Sequence, residues 1–166
     1  MNVFKNVMAA MCTIALCSLS PSYLLAQSQG NTLVGQKLSD STGSISISAS
    51  ALQQQVFPNV DALKTGYSIA GSLSLKVGAK SYILFSAAGP ASDTLIVAVE
   101  LSMENNSFYI NLNKGQGVHT CKKEGSCNSC LFVYNRLEKV IGCSCADFPS
   151  NLDWECKHRF EKTKTN

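Results

Sequence analysis

Six cysteines and both histidines of the 166-residue chain fall between residues 119 and 158. They read His119-Thr120-Cys121, Cys127-Asn128-Ser129-Cys130, Cys143-Ser144-Cys145 and Cys156-Lys157-His158. Two chemistries suit these residues. Thiols in an oxidising compartment pair into disulfides, and an even, clustered set favours three bridges. Thiolates and neutral imidazoles also bind zinc, and Cys127-x-x-Cys130 has the spacing of a zinc knuckle. In an extended strand, residues two apart point the same way. His119/Cys121, Cys143/Cys145 and Cys156/His158 would then each offer two ligand atoms to one side. The disulfide reading takes Cys121, Cys127, Cys130, Cys143, Cys145 and Cys156, and no cofactor. The alternative adds His119 and His158 to the same cysteines as ligands of zinc. Cys143 and Cys145 are expected to pair with other cysteines rather than with each other.

The choice between the two depends on compartment, and the N-terminus bears on that. Lys5 is the only charge before Lys37, and an apolar run from Val7 to Leu19 ends at Ser20-Pro21-Ser22. Leu24-Leu25-Ala26 then precedes polar residues. This is the pattern of a signal peptide cut near Ala26. The run is shorter than the roughly 20 residues a membrane helix needs. Cys12 and Cys17 lack the small preceding residue that lipidation wants, and they leave with the signal. The mature protein is expected to be exported, to the periplasm, cell surface or medium, with no membrane span and with a surface or protein partner.

Charge implies no strong electrostatic partner. The net charge is +3, and 15% of residues are charged. Residues 27–113 hold four Lys/Arg and five Asp/Glu, and residues 114–166 hold nine and six. Nucleic-acid binding would want a denser basic face with interleaved aromatics, so no such partner is expected.

The elements that must position the cysteines are mostly strands. Ser44 to Ser48 alternates with period two. Tyr67 to Val77 puts Ile69, Leu73, Leu75 and Val77 on one face. Lys80 to Ala87, Thr94 to Leu101 and Ser107 to Leu112 follow, separated by Gly78-Ala79, Gly89-Pro90 and Asn105-Asn106. These predict an antiparallel meander or sandwich with Ile69, Leu73, Leu75, Leu84, Val97, Val99, Phe108 and Ile110 buried. Short helices over Ala51 to Phe57 and Asn59 to Thr65, the second capped by Asn59 at its start and Gly66 at its end, could cover the sheet. Composition changes at Lys114-Gly115-Gln116-Gly117. Beyond it only Leu131 to Tyr134 and Lys139 to Ile141 look like strands, with Asn135 to Glu138 as a hairpin turn. The chain thus divides into a signal peptide (1–26), a flexible leader (27–43) with one short strand near Thr32 to Val34, a body (44–113) and a Cys-rich module (114–166). The fold class is β-rich, all-β or α+β, with a small C-terminal hairpin module.

The ending His119-x-Cys121, Cys127-x-x-Cys130-x-Phe132, Gly142-Cys143-x-Cys145, Cys156-x-His158 resembles the Cys-rich ending of small, uncharacterised exported bacterial proteins. That resemblance spans residues 119–158 and implies no activity. Cys121-x5-Cys127-x2-Cys130 is also similar to the start of a vertebrate-type [2Fe–2S] ferredoxin loop, but leaves Cys143 and Cys145 unexplained. A thiol redox pair at Cys127/Cys130 expects a following helix, whereas Leu131 to Tyr134 reads as strand. Gly-x-Ser-x-Gly and His-Glu-x-x-His are absent from the sequence, so no catalytic residue is assigned and an enzyme ranks third. Asp93, Glu100 and Glu104 read as solvent-facing. Tyr67, Tyr82 and Tyr109 are aromatics that could serve a binding face. Asn105-Asn106-Ser107 is an N-glycosylation acceptor in a eukaryote. Asp40-Ser41-Thr42 and Asp93-Thr94-Leu95 are similar to a short bacterial O-glycosylation motif.

Overall fold

The computed structural model describes residues 31–146 and 156–163. Residues 1–26, for which the sequence predicts a signal peptide, and Phe148 and Trp154 lie outside them. Among the described residues the fold is an antiparallel, β-rich sheet that curls on itself, with one short helix, as the alternating sequence predicts.

The strands are β1 (Asn31–Lys37), β2 (Gly43–Ile45), β3 (Ser68–Lys76), β4 (Ser81–Ala88), β5 (Thr94–Glu104), β6 (Ser107–Asn111), β7 (Gly117–Lys123), β8 (Cys130–Tyr134), β9 (Val140–Cys145) and β10 (Cys156–Lys162). Long β5 is the spine. Its first part pairs with β4 on one edge and β7 on the other, and its last residues pair with β6. β6 continues to β1 and β2, while β10 closes the far edge against β7. The β5–β6 turn has Asn105 and Asn106 at φ 49° and 60°. This left-handed pair suits a tight hairpin, and Asn tolerates it better than most residues. The leader segment 27–43 thus contains β1. The composition change at residue 114 falls inside one sheet, because β7 and β10 continue it.

Helix α1 (Ala49–Val56) starts at Ser48, whose hydroxyl accepts the Ala51 N–H. A 3-10 turn over Phe57–Asn59 follows, because Pro58 has no N–H to continue the α pattern. The second expected helix is only a 3-10 turn, Asp61–Leu63. Asn59 does not cap it: its side-chain amide donates to Gln55 O at 2.9 Å and closes α1 instead.

The sheet's inner face carries the main core. Ile83, Phe85, Val97, Val99, Phe108, Ile110 and Val118 meet Leu52, Val56, Val60 and Leu63 there. Ile69, Leu73 and Leu75 are partly buried against it. Leu84 packs on the opposite face, with Tyr82, Ala98 and Val140. That second, outer face is where the cysteine-bearing hairpin sits.

Candidate functional site: a stapled hairpin over a histidine pair

Period two puts Tyr82, Leu84, Ile96, Ala98, Glu100, His119 and Cys121 on the outer face. Register fixes who meets whom. Ala98 lies opposite His119, and His119 opposite Phe160. Ile96 lies opposite Cys121, and Cys121 opposite His158. His119 and His158 are therefore diagonal neighbours on β7 and β10.

The β8–β9 hairpin covers this face. Its turn is tied by Asn135, whose side-chain oxygen accepts the N–H groups of Leu137 and Lys139. Glu138 then accepts the Ala79 N–H at 2.5 Å and approaches Lys76 at 3.7 Å. Gly78 makes that docking possible, since a Cβ there would lie 1.8 Å from the Glu138 carboxylate. Lys76 also sits 4.7 Å over the Tyr134 ring. Directly after the turn, Val140 N–H donates to the hydroxyl of buried Tyr82 at 3.2 Å. Tyr82 is thus a buried anchor, not an open binding aromatic: the hairpin covers the face it occupies. Burial, with Glu100 nearby, raises its pKa against the Val140 hydrogen bond that lowers it.

Three disulfides complete the cover: Cys121–Cys143, Cys127–Cys145 and Cys130–Cys156, with Cα separations of 6.0, 5.7 and 5.9 Å. The first joins β7 to β9, and the third joins β8 to β10. Both therefore fasten the hairpin to the sheet. The second holds the loop before β8 against β9. Cys143 and Cys145 each pair elsewhere. All six cysteines are buried and form their own cluster with Ile96 and Phe132. Bridges of this number belong to an oxidising compartment, and no helix among the described residues is long and apolar enough to cross a membrane. The sulfurs of Cys127, Cys130 and Cys156 lie within 4.8 Å of one another, with Cys127 and Cys156 3.6 Å apart. Reduced, those three could hold a soft or borderline metal. Oxidised, each is committed to a bridge.

The two histidines face each other. His119 Nδ1 lies 3.1 Å from His158 Nε2, the rings are inclined by 13°, and their centroids are 5.3 Å apart. Near-parallel rings joined at that nitrogen separation meet edge to edge, close to a common plane, rather than face to face. One proton is shared between the facing nitrogens, so one ring donates and the other accepts. Burial, then the neighbouring His119, push the His158 pKa down. His119 is buried, with Phe160 at 4.7 Å and Tyr82 edge-on at 6.1 Å between centroids. Its Nε2 points toward Glu100 Oε1 at 3.6 Å, beyond hydrogen-bond length, and has no hydrogen-bond partner. His119 is the largest influence holding the Glu100 pKa down, aided by Lys80 and Lys139, against the burial that raises it.

Two of the carboxylates read as solvent-facing are therefore engaged. Glu100 backs His119. Asp93 accepts the Tyr67 hydroxyl at 2.7 Å and pairs with Lys122 at 2.8 Å. Nothing near Glu100 in the sequence marks it, because its histidine is 19 residues away on a strand the composition hides. Gly117 is the subtler signal. A Cβ there would lie 2.7 Å from the Glu100 carboxyl carbon and 2.9 Å from the Phe160 ring.

A groove also runs between the hairpin and the outer faces of β3 and β4. Ser72, Ser74, Ser86, Leu84, Phe132 and Tyr134 line it. Of the short modification motifs, Asn105, Thr94 and the Asp40 to Thr42 loop are exposed. The chain matches no protein-family model, no curated protein and no solved structure.

Proposed function

We propose that the mature chain is an exported, non-enzymatic binding or surface protein whose C-terminal hairpin is a disulfide-fixed display element. The observation that carries this is the placement of the bridges. Two of the three run from hairpin to sheet rather than within the hairpin. A module of few apolar residues gains a fixed position this way, through restriction of its unfolded chain. The groove beside the hairpin, lined by apolar side chains and by the serines of β3 and β4, supports a binding role for that edge. The N-terminal segment supports export, and the resemblance of residues 119–158 to exported bacterial proteins points the same way.

Expression of the full chain with fractionation tests this. The secreted or surface fraction should hold a form starting near Gln27, with a mass six hydrogens below that of the reduced chain. A mature form retaining residues 1–20, or one with free thiols, would overturn the reading. The second reading is zinc bound by thiolates, with His119 and His158 as further ligands. The gathering of Cys127, Cys130 and Cys156 sulfurs favours it. Under that reading a chelator unfolds the module and free thiols become protected when zinc is added.

A further inference from the structure

We propose that His119 and His158 form a two-histidine site for a borderline divalent cation such as Zn²⁺, working in the fully oxidised protein, with Glu100 as the carboxylate behind it. This is independent of the thiolate reading, since all six sulfurs stay in their disulfides. It is also independent of export.

The geometry is that of a chelating pair with a proton in the cation's place. Zinc–imidazole bonds of about 2.0–2.1 Å at a tetrahedral angle hold two nitrogens roughly 3.3 Å apart. His119 Nδ1 and His158 Nε2 are 3.1 Å apart. The His119 lone pair and the His158 N–H now point along the line between the rings, so the rings must tilt to aim two lone pairs at one cation. His158 can supply that tilt, because it stands half-buried on β10, which among the described residues pairs with β7 alone. Among the described residues no strand pairs with the other side of β10, and from that side the cation and the waters that would complete its shell can arrive.

The buried partner is oriented already. Tyr82 and Phe160 flank the His119 ring. Its far nitrogen, Nε2, is buried, without a hydrogen-bond partner, and aimed at the Glu100 carboxylate 3.6 Å away. Histidines that bind metals characteristically present the other ring nitrogen to a carboxylate, which fixes the tautomer and raises ligand basicity. Here Glu100 favours the proton on Nε2 and leaves Nδ1 as the free lone pair. A cation on Nδ1 would polarise Nε2–H and shorten the contact to Glu100. The glycine at 117 keeps the space for that carboxylate open. Binding is written as an exchange: the cation takes both facing nitrogens, while His158 gives up its Nε2 proton and takes one from solvent on Nδ1, so both rings stay neutral and no net proton is released.

The test uses the full mature chain, disulfides intact and treated with iodoacetamide so that no thiol contributes. Calorimetric titration with Zn²⁺ should give one site per chain. In nitrogen-detected NMR, Zn²⁺ should move His119 Nδ1 and His158 Nε2 most. His158→Ala should abolish the site or weaken it by at least about 20-fold. Glu100→Gln should weaken it by about 10-fold, within the range typical of such supporting carboxylates. No binding by the oxidised wild type would overturn the proposal. So would unchanged affinity in His158→Ala, or nitrogen shifts elsewhere than on this pair. Because the NMR readout needs no variant, it stands even if a substitution unfolds β10.

Discussion

Replacing Cys121 and Cys143 together by alanine removes the bridge that fastens β9 to β7. The closed loop spans 22 residues, for which the chain-entropy relation gives about 3.4 kcal/mol. The other bridges remain, however, and shorten the path. From Cys121 the chain reaches Cys127, crosses to Cys145 and returns to Cys143. That route is roughly eight residues, and the same relation then gives about 2.5 kcal/mol. Two sulfurs also leave a buried cluster, which adds to the loss. The expected cost is therefore about 2.5 kcal/mol or somewhat more, not the full value of an isolated loop. Urea denaturation of the oxidised variant, followed by far-UV circular dichroism, measures it. The m-value should rise as well, because the unfolded chain becomes less constrained. A variant within about 0.5 kcal/mol of wild type with an unchanged m-value would refute the reasoning, since the bridge would then restrict nothing.

Tyr82→Phe should cost about 1–3 kcal/mol, because the Val140 N–H loses its acceptor under the hairpin; an unchanged melting temperature would show that the hairpin is not docked there. Val99→Ala, at a fully buried inner-face site, should cost about 1–3 kcal/mol in the same assay. Lys122, then Tyr67, hold the Asp93 pKa below its ordinary value. Its contribution is therefore present above the unfolded carboxylate value, about 3.9, and is lost as pH falls through the lower folded value. Asp93→Asn should lower the melting temperature at pH 6 and match wild type near pH 2; an equal deficit at both pH values would contradict this.

Strands with period-two alternation were legible because one face meets the core and the other does not. Thr94 to Leu101 is the clearest case, with Leu95, Val97, Val99 and Leu101 all buried. The outer face was harder to read. Tyr82 and Glu100 sit where an alternating strand normally meets water, and nothing local announces that a hairpin starting at Cys130, much further along the chain, will cover them. β7 was missed for a related reason. Its outward residues are His119 and Cys121, not the charged side chains of a solvated face, and its inward ones are Val118 and Thr120, too few to make a pattern. The cysteines were legible as a set but not as pairs. Six allow 15 pairings. What selects among them is tertiary: Cys130 and Cys145 lie opposite each other on β8 and β9, while Cys121 and Cys156 lie on the sheet beneath.

The most direct test of a disulfide-fixed hairpin is bridge mapping: proteolysis of exported protein without reductant, followed by mass spectrometry of the linked peptides. The expected result is three linked pairs, Cys121 with Cys143, Cys127 with Cys145 and Cys130 with Cys156. Six unlinked, alkylatable thiols that become protected on adding zinc, or a Cys143–Cys145 link, would contradict it.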